Sequence, residues 1–360
     1  MAMTAVRGRL AGAPPDPKAP ITPKNFHSQD IVVLVLAIGG SFGLTWLLFS
    51  QLLPLQGLQG FLIFWAFAFI CMYYVAVRDM DGKMVARDRV MAAIVTVAAI
   101  GITIPLILLL AYVTLQGIRF VRLAFFTTTM ADVGPLSPAT ETGGLHAIVG
   151  TLEQVGIAML ISVPLGVMTA IYLNEVRGRL QKPVRVFVDA MSGTPSIVAG
   201  LFIFAVLVSS HGFSGFAAAL ALAVLMLPTV TRATEVVLRL VPDGLREASL
   251  ALGSPEWRTT MRVVLPTARS GVITAILLGV ARVIGETAPL IMTAFGSTTL
   301  NTNPFSGPQA ALPLATFQLA RSSQQADIDR AWVFALVLIG IVLVLFVTAR
   351  RFSARQFGRR

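Results

Sequence analysis

The chain has 360 residues, 56% of them hydrophobic and only 12% charged, with a mean hydropathy of +0.80. A soluble domain carries about 25% charged residues, so this composition excludes one and implies membrane spans of about 20 residues each. The net charge of +11 suits a nucleic-acid partner in principle, but its distribution along the chain, given below, serves membrane orientation instead.

Residues 1–30 are rich in Ala and Pro, contain no apolar run, and read as a disordered cytoplasmic tail. The first apolar run already has full span length, unlike a signal-peptide core. Eight apolar segments follow, at 31–53, 58–77, 90–115, 146–173, 185–209, 214–237, 268–294 and 331–349. In the first, Gly39 and Gly43 form a small-xxx-small pair suited to helix packing. Cys71 stands alone in the second, so neither a disulfide framework nor a cysteine metal site is available. His27, His146 and His211 are scattered and are expected to be solvated or interfacial rather than metal ligands. The segments 116–145 and 295–330 are rich in Thr, Ser, Pro, Asn and Gly. They are connections, partly re-entrant, or a landing surface for a soluble donor protein.

Basic residues set the orientation. The tail holds Arg7, Arg9, Lys18 and Lys24; segment 78–89 holds four, segment 174–185 four, segment 236–269 five and the C-terminal end five. That places 22 on one side against Arg119, Arg122, Arg321 and Arg330 on the other. The asymmetry predicts both termini in the cytoplasm and eight spans.

Ionisable groups inside spans are costly, about 2.5–3.5 kcal/mol each at mid-helix on insertion scales, and therefore flag function. Glu153 and Gln154 in the fourth span are expected to pack inward against another span. Asp189 precedes the polar break Ser192-Gly193-Thr194-Pro195-Ser196. That break either bends the fifth span to line a cavity or is a local cap. Arg232 and Glu235, near the cytoplasmic end of the sixth span, are explained by snorkelling; a place in the inner mouth of a pathway is the sharper reading. Arg282 and Glu286 are four apart near the middle of the seventh span. On one helix face they can pair, as a structural tie between helices or as a polar element of a substrate path, where the arginine's planar fork suits an oxyanion.

Between the sixth and seventh spans lies the pattern Glu247-Ala248-Ser249, then Gly253, then Val263, Leu265 and Pro266. It reads as two short helices broken by a glycine in the left-handed region, with Asp243 capping the first and Ser254 the second. A helix–turn–helix held on the membrane face is a docking device. The chain has no G-x-x-x-x-G-K-[ST] phosphate loop, no H-E-x-x-H and no Ser/His/Asp arrangement. No catalytic residue, metal site or cofactor is therefore assigned; any ATP and Mg would be bound by another polypeptide.

The spacing of the 242–266 loop resembles the EAA loop of ABC importer permeases. The strings Glu247 to Pro266, R-V-I-G-E-T-A-P-L from Arg282 to Leu290, D-A-M-S-G-T-P-S-I-V-A-G from Asp189 to Gly200, and Gly150-Thr151-Leu152 with Val163-Pro164-Leu165-Gly166 are similar to the PstA-type permease subunit of the bacterial phosphate ABC importer, over roughly residues 90–350. The resemblance implies an all-α, polytopic inner-membrane permease with a six-helix type I core at 90–350. Two extra N-terminal helices and their loop at 31–89 precede the core, and a basic tail at 351–360 follows it. It implies a path through Arg282, Glu286, Arg232 and Asp189, and ATPase coupling through Glu247, Ala248, Ser249, Gly253, Leu265 and Pro266. The implied partners are a second related permease subunit, two ATPase subunits, an extracytoplasmic phosphate-binding protein and the bilayer. Glu153 departs from the family's expected apolar residue. Rival readings are the same machine for another oxyanion or small solute, a secondary transporter, and a membrane scaffold without transport; the docking loop counts against the last two.

Overall fold

A computed structural model describes residues 28–52, 57–134, 136–176 and 178–355. The tail expected at 1–30 lies mostly outside the described residues, as do Arg177 and the end of the basic tail. The described residues are helical apart from loops and one isolated bridge between Phe295 and Gln309. Seven helices are long and apolar enough to cross a membrane, or eight if one sharply bent pair is a single span. The segments read from the sequence are all there, and their differences from it are concentrated where function is expected.

The chain divides into two compact units, at 107/108. In the first, α1 (Ser28–Leu47) packs on α2 (Leu58–Asp81), with the start of α3 (Lys83–Phe120) beside them. The small-residue face of α1 is Ala37, Ser41 and Thr45, all buried, and not Gly39 and Gly43, which have no neighbour where a side chain would stand. Trp65 Nε1 donates to Ser41 Oγ at 3.2 Å across that face. Arg89 then ties the unit's charged end, with Asp30 at 2.6 Å and Asp81 at 3.0 Å.

The second unit is a bundle around α8 (Gly215–Arg239), the most buried helix. It is flanked by α4 (Leu145–Glu175) and by α11 (Leu265–Val283). Glycines allow these approaches: a Cβ at Gly166 would stand 3.1 Å from Val230, and one at Gly279 2.6 Å from the same side chain. Ser162 Oγ donates to the Ala223 carbonyl at 3.1 Å, satisfying a buried hydroxyl between α4 and α8.

The fifth span is broken. Helix α5 (Gln181–Ser192) ends at Gly193, and α6 (Ser196–Ile203) continues through a π-helical turn, Phe204–Val208, into α7 (Ser209–His211). The bend between the two halves is 103°. Pro195, which cannot donate a backbone N–H, sits at the restart in extended geometry.

The sixth-to-seventh connection holds α9 (Asp243–Ala251) and α10 (Glu256–Thr259), the latter running through a π-helical turn, Thr260–Val264, into α11. The seventh span thus begins at Glu256, not near 268, and its helix ends at Val283, not near 294. Ile284 and Gly285 form a turn, Glu286 and Thr287 are irregular, and α12 (Ala288–Thr293) resumes. Helix α13 (Leu312–Ala320) packs on α14 (Gln325–Arg355), which closes the bundle.

Candidate functional site

The loop at 242–266 folds as its residue types demand. Gly253 has φ of +78°, the left-handed position that glycine occupies at little cost. Its N–H donates to the Leu250 carbonyl at 2.9 Å, and the Ser254 N–H to the Ser249 carbonyl at 3.2 Å, a Schellman close to α9. The capping differs from expectation. Pro242 and Pro255, in extended geometry, occupy the cap positions. Asp243 and Glu256 are therefore first-turn acids against the positive helix ends. Neither Asp243 nor Ser254 makes a side-chain cap.

Ser249 Oγ lies 2.9 Å from Thr259 Oγ1 and joins α9 to α10. Glu247 and Ala248 are exposed, as is Pro266, whereas Leu265 packs into the core that includes Leu238, Val241 and Val264. Leu252, Trp257 and Met261 also present large apolar side chains outward, Leu252 at 88% exposure. Apolar groups on a loop rimmed by Glu247, Arg258 and Arg262 make a surface suited to a protein partner.

The loop is held to the bundle by Arg246, which sequence reasoning counted only as a positive charge. Its guanidinium donates to both oxygens of Glu175 at the end of α4, at 2.9 and 3.2 Å. It also donates to the Leu238 and Val241 carbonyls at 2.9 and 2.7 Å, and to Asp243 at 3.0 Å. The hydrogen bonds accepted by Glu175 hold the Arg246 guanidinium above its ordinary pKa.

Beside it, Glu235 is buried at 2% exposure. Three guanidinium groups converge on it: Arg185 at 2.8 Å, Arg232 at 2.7 Å and Arg239 at 2.5 Å. Arg232 also pairs with Asp189 on α5. Snorkelling therefore does not account for Arg232 and Glu235. A carboxylate taken out of water needs partners, and the fold supplies them from α5 and α8 together. Arg185 was legible only as an orientation charge, because its partner is 50 residues away in sequence.

Arg282 and Glu286 are not the helical pair that i,i+4 spacing suggested. The helix stops between them, at Val283, and no ion pair joins them. Their depth is nonetheless that of mid-bundle. Gly279 lies against Met226 and Val230, near the centre of the antiparallel α8, and Thr293 accepts from the Ser214 N–H at the far end of α8. The α11–α12 break thus falls between the middle of α8 and its far end. The restart of the fifth span is adjacent: a Cβ at Gly200 of α6 would stand 2.7 Å from Cα of Pro289 in α12. Irregular backbone at mid-membrane depth is tolerated only where protein buries it or it lines a water-filled cavity. Glu286 and Thr287 are half-buried, and Arg282 is exposed on the surface of this unit.

The far end of the bundle is built differently. Gln309 is fully buried; its Nε2 donates to Glu153 at 2.6 Å and to the Asn301 carbonyl at 3.1 Å. Gln154 Nε2 donates to Gln309 Oε1 at 3.0 Å and to the Ala310 carbonyl at 3.1 Å. Glu153 and Gln154 do pack inward, but against the 295–311 loop and not another span. Arg330 is wholly buried, paired with Asp327 at 2.6 Å and donating to the Ser137 carbonyl at 2.7 Å. His146, expected to be solvated or interfacial, is buried at 3% exposure. A cleft of about 740 Å³ opens at this end, lined by His146, Phe295, Gln318, Arg321 and Phe334 among others. None of Asp189, Arg232, Arg282 and Glu286 lines it. Among the described residues no group of His, Cys, Asp and Glu is placed to hold a metal.

The second unit is thus a helical bundle with two broken spans side by side and a helix–glycine–helix loop pinned to one end. A family model of binding-protein-dependent transport system inner membrane components matches residues 162–360, and the chain belongs to that family. Among its relatives is the phosphate transport system permease protein PstA 1 of Mycobacterium tuberculosis, 44% identical over 261 residues that cover 69% of this chain and 85% of the relative. PstA of Yersinia pestis is 40% identical over 245 residues, 67% and 81% of the two chains, and PstA of Pasteurella multocida 39% over 222 residues, 61% and 79%. A solved structure of the MetNI methionine ABC transporter, inward-facing, superposes with a TM-score of 0.47 at 20% identity over 58% of this chain and 92% of that one.

Proposed function

We propose that this chain is the PstA-type permease subunit of an ATP-driven ABC importer for inorganic phosphate, a multi-pass inner-membrane protein. The observation that carries the reading is the 44% identity to a phosphate permease along most of that relative's length, in a chain whose 242–266 loop folds as a docking device. The loop seats in a partner ATPase, with Glu247, Ala248 and the exposed Leu252 and Trp257 on the contact face. The chain itself needs no cofactor, and hydrolysis belongs to that partner. The remaining partners are a second permease subunit and an extracytoplasmic phosphate-binding protein. The core at about 90–350 carries transport, and both termini face the cytoplasm.

The path runs past the mid-depth breaks. Arg282 stands in the last turn of α11 and Glu286 in the break that follows, with no ion pair between them, so phosphate meets an exposed guanidinium at the break. It leaves toward Arg232 and Asp189, where a partly exposed carboxylate shares its arginine with the buried Glu235. Labelled phosphate uptake by the assembled complex tests this. Arg282→Gln abolishes uptake without loss of assembly, and Arg282→Lys restores only part, because an ammonium lacks the planar fork. Normal uptake by Arg282→Gln removes this residue from the path. Impermeant thiol labelling of Ser210→Cys and Ser306→Cys, but not Ser353→Cys, on intact cells in a Cys71→Ser background checks the orientation. Labelling of position 353 reverses it.

A further inference from the structure

Helix α9 is attached to the chain by α8 on one side and α10 on the other, yet its polar side-chain contact with α4 is one residue, Arg246. That guanidinium meets three elements at once: Glu175 at the end of α4 through both carboxylate oxygens, the last carbonyls of α8 and its linker at Leu238 and Val241, and Asp243 in the first turn of α9. Glu175 is itself oriented by Asn174 Nδ2 at 2.6 Å, and Gln181 Nε2 closes the adjacent Leu173 carbonyl at 2.6 Å. The Arg246 and Glu175 side chains are 17% and 11% exposed, whereas Asp243 is 89% exposed. The strong partner is thus the one on α4. Nothing in the sequence signals it, since 71 residues separate the two.

We propose that Arg246 is a positioning residue that locks α9 to the ends of α4 and α8 as one rigid piece, so that displacement of the docking loop is delivered to both spans together. The proposal rests on the reading of the 242–266 loop as the ATPase docking site. A forked, two-oxygen bond resists rotation as well as separation, which a single ammonium contact does not. The carbonyl bonds serve a second purpose, since they satisfy acceptors that the end of α8 leaves open. The joint therefore spans chain segments that would otherwise hinge at Val241 and Pro242. The link from α10 to α11, by contrast, is continuous helix and needs no clamp.

The test uses the full transporter in nanodiscs, with nitroxide labels on Met168→Cys in α4 and Leu250→Cys in α9, both exposed positions, in a Cys71→Ser background. Pulsed-EPR distances are recorded without nucleotide and with ATP trapped. The native pair should give one narrow distance, the same in both states. Glu175→Gln should broaden it and shift it between states. Substrate moved per ATP hydrolysed should then fall about tenfold in Glu175→Gln and in Arg246→Lys, a typical size for a lost coupling free energy. The reciprocal pair Arg246→Glu with Glu175→Arg should recover part of the loss.

A native distance that changes between nucleotide states overturns the proposal, as does Glu175→Gln with native distance and native stoichiometry. If Arg246 variants fail to assemble, the native distances and Glu175→Gln still decide. Cross-linking of Glu247→Cys to the ATPase separates the two readings. No cross-link removes the docking site itself, whereas a cross-link with a state-dependent α4–α9 distance overturns the rigid joint alone.

Discussion

The two ends of the 108–360 bundle solve the same problem with different chemistry. At the α9 end, buried polarity is handled by guanidinium–carboxylate pairs: Arg246 with Glu175, and Arg185, Arg232 and Arg239 with Glu235. At the far end it is handled mainly by amides and backbone carbonyls around Gln154 and Gln309, with Glu153 accepting from Gln309, and by one fully enclosed pair, Arg330 with Asp327. The Glu235 cluster tolerates rearrangement, because its arginines reach water and Arg232 is already shared with Asp189, whereas the forked Arg246–Glu175 bond is enclosed and holds α9 in place. The far end does not tolerate it, because an amide that leaves Gln309 has no water to replace it. The comparison predicts adjustable charge pairing in the Glu235 cluster and a fixed frame at the far end.

Four substitutions break or sharpen that contrast. The largest effect is expected at Gly150, where any Cβ would overlap the Ala310 carbonyl oxygen, a backbone atom that cannot step aside. Gly150→Val should cost about 3 kcal/mol or more and remove assembled complex from the membrane. Normal complex yield would mean that the 295–311 loop is not clamped on α4.

Glu235→Ala comes next. It leaves three arginines facing one another and should cost about 2–3 kcal/mol, toward the low end because each arginine is partly exposed. Thermal inactivation of the purified complex reads this, and Arg185→Gln in the same background should recover some stability by removing one of the repelling charges. Additive losses in the double variant would dissolve the cluster as a unit.

Gln309→Ala takes one of two acceptors from the Gln154 amide, which keeps the Ala310 carbonyl, and removes the donor to the Glu153 carboxylate. Its expected cost is about 1–3 kcal/mol, in stability rather than in transport per ATP. A selective transport defect in a stable complex would contradict the fixed-frame assignment. The smallest stability effect belongs to Asp189→Asn, below about 1 kcal/mol, because this carboxylate is half exposed. Its effect should fall on uptake kinetics instead, since Arg232 loses its exchangeable partner. Unchanged uptake would leave Asp189 a mere tether of α5.

Much of this was legible in the sequence, for identifiable reasons. Spans announce themselves because hydrocarbon admits no unpaired backbone, so length and apolarity suffice. The fold of the 242–266 loop was legible because Gly253 takes a left-handed position that glycine occupies cheaply, and because local spacing sets a local fold. The α5–α6 bend was foreshadowed by Ser192-Gly193-Thr194-Pro195, where proline and glycine act on their own backbone. Asp189 and Arg232 were each flagged by their cost in a span, but their pairing was not.

What the sequence by itself determined, then, is whatever depends on near neighbours along the chain: helix existence, the glycine stop at 253, the break before Ser196 and the basic asymmetry. Tertiary structure alone decided the rest. Spacing of four residues promised an Arg282–Glu286 pair, yet α11 ends at Val283 and its continuation packs as a separate helix against α6. The face of α1 that packs is Ala37, Ser41 and Thr45, because α2 lies there and no local rule says so. Arg246 and Glu175, Arg185 and Glu235, and Gln154 and Gln309 are joined across long stretches of chain. A charge or an amide on one helix carries no mark of its partner until the helices are packed and water is gone.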